Sequence, residues 1–231
     1  MERLAQQSDK NSSSAYDEIF LQRSTKGIDE FDLRRWKVLL KYFRGGRLID
    51  LGCLDSLVSV LAKKKYPKSE CWGIDQAGEA IKAMLEMNPE IHYEVGDVYN
   101  TKFPTNYFNY VVMGELLEHL EYPEKAVMEA FRILKPEGIL AISTPLEEAR
   151  EPGAVDPERH LWSFTADDIY DLIKPYAIIR DSKYLHSIYF PTYKYAFPNI
   201  VVWAEKNKQL TYEELQSFFH QEQLSKVLSA T

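Results

Sequence analysis

Short apolar runs alternate with amphipathic stretches from Arg47 to Pro145. The runs "RLIDLG", "CWGID", "IHYEV", "FNYVVMG" and "ILAIST" have the length and composition of buried strands. The stretches between them predict helices over residues 57–66, 77–87 and 123–134. Parallel neighbouring strands need a crossover of about this length, so the pattern predicts an α/β fold with a doubly wound, mostly parallel sheet covered by helices on both faces.

The flanking segments predict additions to this sheet. Apolar residues recur at helical spacing from Leu33 to Phe43, which indicates a helix before the first strand. After Pro145 the period is lost, and two later apolar runs with no helix between them predict an antiparallel edge pair. The expected organisation is a flexible tail at 1–14, a helical cap at 15–46, a catalytic domain at 47–206 with a lid loop at 145–164, and a polar helix at 207–231.

Composition narrows the classes of function. The chain has 231 residues, of which 45% are hydrophobic, so one sizeable core is expected. The net charge of −7 disfavours nucleic acid as a partner. Two cysteines and a polar N-terminus favour a cytoplasmic setting, and no apolar run approaches the ~20 residues that a membrane span needs. Nothing in the sequence predicts the oligomeric state.

Polar residues follow the first three predicted strands, at the sheet edge where open parallel sheets bind ligands. Gly52 ends the first strand and lets the backbone approach a ligand, although a plain β–α turn would also use it. Asp75 ends the second strand, where a carboxylate either holds ribose hydroxyls or merely caps the next helix. Leu54 occupies the second glycine position of the dinucleotide fingerprint, so adenosine without a pyrophosphate is favoured and an NAD-dependent oxidoreductase is ranked last.

The segment "GELLEHL" after the fourth strand carries candidate catalytic groups. If residues 115–119 form a helical turn, Glu115, Glu118 and His119 share one face. His119 is then a candidate general base, because an imidazole with a pKa of about 6.5 accepts protons near neutral pH. Alternatively, the three residues bind Mg²⁺, Mn²⁺ or Zn²⁺ together with His160, or they only bond to the helix and lid.

The segments "LIDLGCLDS", "GIDQAGEAI", "GDVYN" and "FNYVVMGELLEHLEYPEKAVMEAFRILKPEGILAISTP", in this order and spacing, resemble the class I S-adenosylmethionine-dependent methyltransferases, particularly the ubiquinone-biosynthesis-like branch. The resemblance runs from about Arg47 to Pro145 and implies a seven-stranded, Rossmann-like sheet with S-adenosylmethionine as cofactor. The cofactor contacts implied by the resemblance are Asp50, Gly52 and Cys53 at the methionine part, Asp75 and Gln76 near the ribose, Asp97 and Val98 at the adenine, and Met113 on the floor.

The E-x-x-E-H pattern also resembles the metal site of small-RNA 3′-terminal 2′-O-methyltransferases and of ubiquinone-pathway catechol O-methyltransferases. The sequence departs from the family at the glycine-rich turn, where only Gly52 is kept and Leu54 and Ser56 replace the other glycines.

The expected function is methylation of a small molecule, most readily at a hydroxyl. The N-terminal helices, the lid loop and the aromatic hairpin of the last two strands would form the acceptor pocket. Tyr16 and Trp36 on those helices either close over the substrate or, as is favoured here, pack the cap onto the sheet. Two alternatives remain, an RNA 3′-end 2′-O-methyltransferase and a non-catalytic S-adenosylmethionine-binding protein.

Overall fold

The structure is a computed structural model that describes residues 1–3, 12–24, 30–146, 149–150, 160–190 and 195–207, and at 23–24, 149–150, 186–190 and 195–197 it describes the backbone alone. Apart from Asn207, the predicted C-terminal helix lies outside these residues. Most of the predicted tail and lid does so too, as do five aromatic side chains of the predicted hairpin, those of Tyr189, Phe190, Tyr193, Tyr195 and Phe197.

Helices and strands alternate through the centre of the chain, as the sequence predicts. The helices in the described ranges are α1 (Ser13–Ser24), α2 (Glu30–Leu39), α3 (Val58–Lys65), α4 (Gly78–Met87), α5 (Pro123–Ile133) and α6 (Ala166–Ile173). The strands are β1 (Glu2–Arg3), β2 (Arg47–Leu51), β3 (Glu70–Asp75), β4 (His92–Val95), β5 (Phe108–Gly114), β6 (Leu134–Pro145), β7 (Ala149–Arg150), β8 (Trp162–Ser163), β9 (Ala177–Phe190) and β10 (Tyr195–Lys206).

The main sheet has the strand order β4-β3-β2-β5-β6-β10-β9, and the two-residue β7 also pairs with β10. Strands β2 to β6 are parallel, whereas β10 runs antiparallel to β6 and to β9. The predicted fold class and antiparallel edge pair are therefore confirmed. The chain order reverses between β2 and β5, which is where an open α/β sheet forms its ligand crevice.

The core lies on both faces of the sheet, because successive residues of a buried strand point to opposite sides. Ile49 and Leu51 of β2 pack with apolar residues of α5 and α6 on one face. Leu48 packs with α2, α3 and α4 on the other, in a cluster that includes Trp36. Trp36 is buried, so it packs the cap onto the sheet. No helix in the described part of the chain is long and apolar enough to cross a membrane.

Two helices start with residues that are typical of helix N-termini. Pro123 is the first residue of α5, and Thr165 and Asp168 form a capping box at the start of α6. One local expectation is wrong, since residues 115–119 do not form one helical turn: Glu115 has a φ of +50°, and only Leu117–His119 form a 3-10 turn.

The turn after β2 depends on glycine at position 52. Gly52 has a φ of +69°, and a Cβ atom there would lie 2.5 Å from Cδ1 of Leu116. Gly78, at the start of α4, has no atom within 4 Å of such a Cβ position.

We therefore expect Gly52→Ala to lower the free energy of unfolding by about 1–3 kcal/mol, because it combines a left-handed backbone with a steric clash. Gly78→Ala is the matched control, with an expected effect between zero and about 1 kcal/mol of stabilisation. Urea denaturation of the two variants measures both values. Equal effects at the two positions would contradict this description of the turn.

Candidate functional site

The Asp75 carboxylate connects the turn after β2 to the start of α4. Its Oδ2 accepts a hydrogen bond of 2.8 Å from the Leu54 amide, and its Oδ1 accepts one of 2.9 Å from the Ala77 amide. The side chain is only 6% exposed, and this burial raises its pKa, although the bonds from Ala77 and Leu54 act in the opposite direction. Asp75 thus fixes the shape of the turn and holds Ala77, the residue that precedes α4.

Asp50 lies beneath this turn, at the centre of the sheet edge. It pairs with Gly73 of β3 and Val112 of β5 and is 2% exposed. The pKa of Asp50 is raised to about 7, chiefly by burial; a hydrogen bond with Ser56 opposes this rise and the charge of Asp75 contributes to it. Its Oδ2 is buried and has no hydrogen-bond partner among the described residues.

Helix α1 covers this end of the sheet. The Ser13 hydroxyl donates a hydrogen bond of 2.6 Å to the backbone oxygen of Gln76, and Asp17 accepts one of 2.9 Å from the Glu79 amide in the first turn of α4. Leu54 and Tyr16 pack against a small apolar cluster that contains Phe20 of α1. The helix therefore lies across the edge on which the predicted cofactor residues are placed.

The other predicted cofactor residues lie along the same edge. The Gly96 amide donates to the Asp75 carbonyl, which brings the end of β4 beside the end of β3. Asp97 is exposed and accepts a hydrogen bond of 2.8 Å from the Tyr99 amide, and Val98 beside it is buried. Cys53 and Met113 are both buried in the core, Cys53 at the turn and Met113 near the end of β5.

A second polar cluster contains Glu118, His119 and His160. One ligand atom of each lies within 4.8 Å of the others, and the two imidazole rings are 4.9 Å apart between centroids. The lid segment reaches this position because the Leu161 amide donates to the Glu118 carbonyl at 2.6 Å. His160 therefore lies close to Glu118 and His119, as their grouping in the sequence analysis requires.

Glu118 is fully buried in this cluster. Its Oε2 accepts a hydrogen bond of 2.9 Å from the Thr144 hydroxyl, and its Oε1 has no partner in the described part of the chain. Burial raises the pKa of Glu118 well above its usual range, the charge of Glu115 adds to this effect, and His160 opposes it. The carboxyl group can therefore hold a proton near neutral pH.

Glu115 is not part of this group of three. Its Oε1 accepts a hydrogen bond of 2.8 Å from the Ser143 hydroxyl. Its Oε2 accepts one of 2.7 Å from the Asn199 amide and forms an ion pair of 3.3 Å with Arg35. The left-handed backbone at Glu115 turns its side chain away from the face that it was expected to share with Glu118 and His119.

Sequence reasoning missed the partners of these carboxylates. Ser143 and Thr144 lie near the end of β6, and only the apolar residues of that strand indicated its structure in the sequence. Asn199 is a fully buried polar residue next to the run "IVVWA", and such a residue within a buried strand is the signal that could have identified it. Arg35 gives no comparable signal, because arginine is ordinary on a helix.

Comparisons with known proteins show similarity to methyltransferases. A sequence profile described as a methyltransferase domain matches residues 49–142. An uncharacterized methyltransferase of Schizosaccharomyces pombe is 30% identical over 133 residues, and the match covers 48% of each chain. A ubiquinone biosynthesis O-methyltransferase of Xanthomonas oryzae pv. oryzae is 31% identical over 105 residues, with 43% of each chain covered. The matches thus span less than half the length of either relative.

A solved structure extends the likeness beyond the matched segment. The crystal structure of a SAM-dependent methyltransferase from Methanosarcina mazei has a TM-score of 0.59 and 19% sequence identity, and the alignment covers 74% of this chain and 97% of that one. At this identity the likeness shows a shared fold and nothing more specific.

The buried Asp50 predicts how stability depends on pH. Its pKa of about 7 is above the ordinary value of 3.8, so its contribution to stability is complete below pH 4 and is lost as the pH rises through 7. An asparagine at this position does not titrate. The free energy of unfolding of Asp50→Asn, taken relative to that of the wild type, should therefore increase by roughly 2–4 kcal/mol from pH 4 to pH 8. Urea denaturation of both proteins across this range measures the difference, and a constant difference would contradict the burial of a protonatable Asp50.

Proposed function

Because this chain belongs to the class I S-adenosylmethionine-dependent methyltransferase family, we propose that it transfers the methyl group of S-adenosylmethionine to a hydroxyl oxygen of a small molecule. The main support is that two buried polar clusters occupy one edge of the sheet. One surrounds Asp50 and Asp75, and the other contains Glu118, His119 and His160.

The residues around the turn fit the methyl donor. The unpartnered oxygen of Asp50 is complementary to a cationic amino group. Asp75 accepts backbone hydrogen bonds from Leu54, Ala77 and Gln76, and an ionised carboxylate offers about four acceptor positions, so a ribose hydroxyl can still bind. The residues that would hold the donor are Asp50, Gly52, Cys53, Asp75, Gln76, Asp97, Val98 and Met113.

Leu54 replaces a glycine where the donor would pass close to the backbone. Its side chain packs with Phe20 of α1, and its amide is held by Asp75. Packing and hydrogen bonding at Leu54 would therefore hold this turn in the conformation that the family obtains with glycines. A protein that binds the donor without transferring the methyl group would share this turn, so turnover has to be measured as well as binding.

In the proposed reaction a side chain of this protein accepts the proton that the acceptor hydroxyl loses. Methyl transfer from a sulfonium requires donor and acceptor to be aligned, and a hydroxyl acceptor must also lose a proton. We assign the His119 imidazole as the group that takes that proton. The rings of Tyr16 and His160 both make edge contacts with the His119 imidazole, at 5.9 Å and 4.9 Å between centroids, so two other segments restrict its orientation.

Binding of a divalent ion is the second interpretation of the same cluster. The unpartnered Glu118 Oε1 and the two imidazoles are suitable ligands for Mn²⁺ or Zn²⁺, and less so for Mg²⁺, which prefers oxygen. When bound, such an ion would act as a Lewis acid toward a hydroxyl. Glu118, His119 and His160 would then be protein ligands, whereas Glu115 would stay with Arg35 and Asn199.

The acceptor is assigned to small molecules on the basis of charge. A net charge of −7 opposes binding of a polyanionic RNA, whose affinity depends on neutralised phosphates. The Xanthomonas relative is called an O-methyltransferase, which is compatible with a hydroxyl acceptor. A turnover screen with phenols, sugars, amines and short RNA separates these classes, and preferential methylation of RNA would reject the proposal.

Asp75→Ala should weaken binding of S-adenosylhomocysteine by at least about tenfold, since it removes both the ribose contact and the bonds that shape the turn. Isothermal titration calorimetry measures the affinity. Asp181→Ala, which breaks an ion pair with Lys41 in the other half of the sheet, is the matched control and should bind normally. Unchanged affinity in Asp75→Ala would remove this carboxylate from the donor site, and no binding by the wild type at millimolar ligand would reject donor binding altogether.

His119→Ala should slow methyl transfer by about 10²–10⁴-fold and leave S-adenosylhomocysteine affinity intact, because it removes the group that receives the proton. Full activity in this variant would contradict both interpretations of the cluster. A chelator then separates them, since a base tolerates EDTA and an ion-dependent reaction does not. If the cluster binds an ion, Mn²⁺ binding measured by electron paramagnetic resonance should be lost in His160→Ala and kept in His92→Ala, a histidine stacked on Trp72 at the other side of the sheet.

A further inference from the structure

Strand β1 is attached to the segment that carries His160. Its residues Glu2 and Arg3 pair antiparallel with Ser163 and Trp162 of β8. His160 precedes β8 by two positions and is buried. The residues of β1 belong to the predicted tail, for which the sequence indicates no role. In the structure they form a two-stranded sheet with this segment.

Arg3 also contacts the segment that follows the 3-10 turn. Its Nη2 donates hydrogen bonds of 2.6 Å to both carboxylate oxygens of Glu121. Its guanidinium carbon lies 5.1 Å from the centroid of the Trp162 ring, which is within the range of a cation–π contact. Hydrogen bonds between ionised groups are stronger than neutral ones, and tryptophan is the best aromatic partner for a cation. One guanidinium therefore binds two segments at once.

The two partners of this guanidinium are placed symmetrically about the histidine pair. Glu121 follows His119 by two residues, and Trp162 follows His160 by two. The Trp162 Nε1 donates a hydrogen bond of 2.7 Å to the Leu120 carbonyl, so the two segments are also joined directly. The two imidazole rings, which these segments carry, are 4.9 Å apart between centroids. Separation of Glu121 from Trp162 would therefore also separate His119 from His160.

The contacts of Arg3 are partly shielded from water. Its side chain is 38% exposed, and that of Glu121 is 16% exposed. An ion pair of this exposure and one cation–π contact together correspond to about five- to 30-fold in an equilibrium constant. Such a factor is small beside the equilibrium constant for folding of a whole domain, so these contacts control local opening of the two segments more than folding.

We propose that Arg3 is a positioning residue of the candidate site, which holds His160 against His119 by binding Trp162 and Glu121 together. Without this guanidinium the two segments open more often, and the histidine pair opens with them. Arg3 is not required to touch the donor or the acceptor. The role of the histidine pair in methyl transfer rests on the proposed function, whereas the hold of Arg3 on the pair does not.

Hydrogen exchange of the full chain, followed by NMR, tests this proposal. The Leu161 amide and the Trp162 indole N–H are the reporters, because both donate to carbonyl groups of residues 118–120. In Arg3→Ala both protons should exchange about five- to 30-fold faster than in the wild type, since the two contacts are lost. Arg3→Lys keeps a cation beside the carboxylate and the ring, so its exchange rates should fall between those of Arg3→Ala and the wild type.

Arg47→Ala is the matched control. Arg47 pairs with Glu70 at 3.1 Å, lies over the Tyr107 ring at 4.3 Å, and has a side chain that is 37% exposed. It thus makes the same two kinds of contact as Arg3 at nearly the same exposure, but at the start of β2, opposite the ligand edge. Its loss should leave both reporters at their wild-type exchange rates.

Glu121→Gln tests the partner, because it keeps the shape of the side chain and removes its charge. If Arg3 acts through Glu121, the effects of the two substitutions are not additive. The double variant should then exchange no more than about twofold faster than Arg3→Ala alone.

Unchanged exchange of both reporters in Arg3→Ala would overturn the inference. So would equal acceleration in Arg3→Ala and Arg47→Ala, which would make the effect one of overall stability. Additive effects of Arg3→Ala and Glu121→Gln, or no recovery in Arg3→Lys, would also contradict it. Failure of the wild type to bind S-adenosylhomocysteine is a separate outcome, which would reject the proposed function, while the exchange rates would still decide the role of Arg3.

Discussion

The two hydrogen bonds of the Asp75 carboxylate hold the ligand edge of this protein together. They join the turn after β2 to the start of α4, and the same turn also bonds through Gly52 and Cys53 to the Ile74 carbonyl. Both the left-handed turn and the docking of α1 on α4 depend on this junction. A carboxylate that is buried and bonded in this way costs free energy of desolvation, which is typical of residues retained for a ligand.

The sheet and its ligand edge are predictable because their signals are local. Strand length, helical period, Pro123 and the Thr165–Asp168 cap are all encoded within a few neighbouring residues. Parallel pairing follows from the alternation of strands and helices, and it places the ends of β2, β3 and β4 together. The sequence alone is therefore enough to assign Asp50, Asp75 and Asp97 to one edge.

The arrangement on the acceptor side could not be predicted, because it depends on contacts between distant segments. Glu115 was expected to follow helical spacing, but bonds from Ser143 and Asn199 stabilise a left-handed conformation there. The pairing of Arg35 with Glu115 depends on how α2 docks, which no spacing in the sequence encodes. His160 was grouped with Glu118 and His119 as a possible metal ligand, which stays a prediction, and its approach to them depends on the bond between the Leu161 amide and the Glu118 carbonyl.

The most direct test of the donor site is an NMR titration of the ¹⁵N-labelled protein with S-adenosylhomocysteine. We expect the amide resonances of Gly52, Leu54 and Ala77 to shift on binding, whereas those of Gly45 and Asn109, at the opposite edge of the sheet, should not. Saturating ligand that leaves the first three resonances unchanged, or that shifts only the opposite edge, would contradict it.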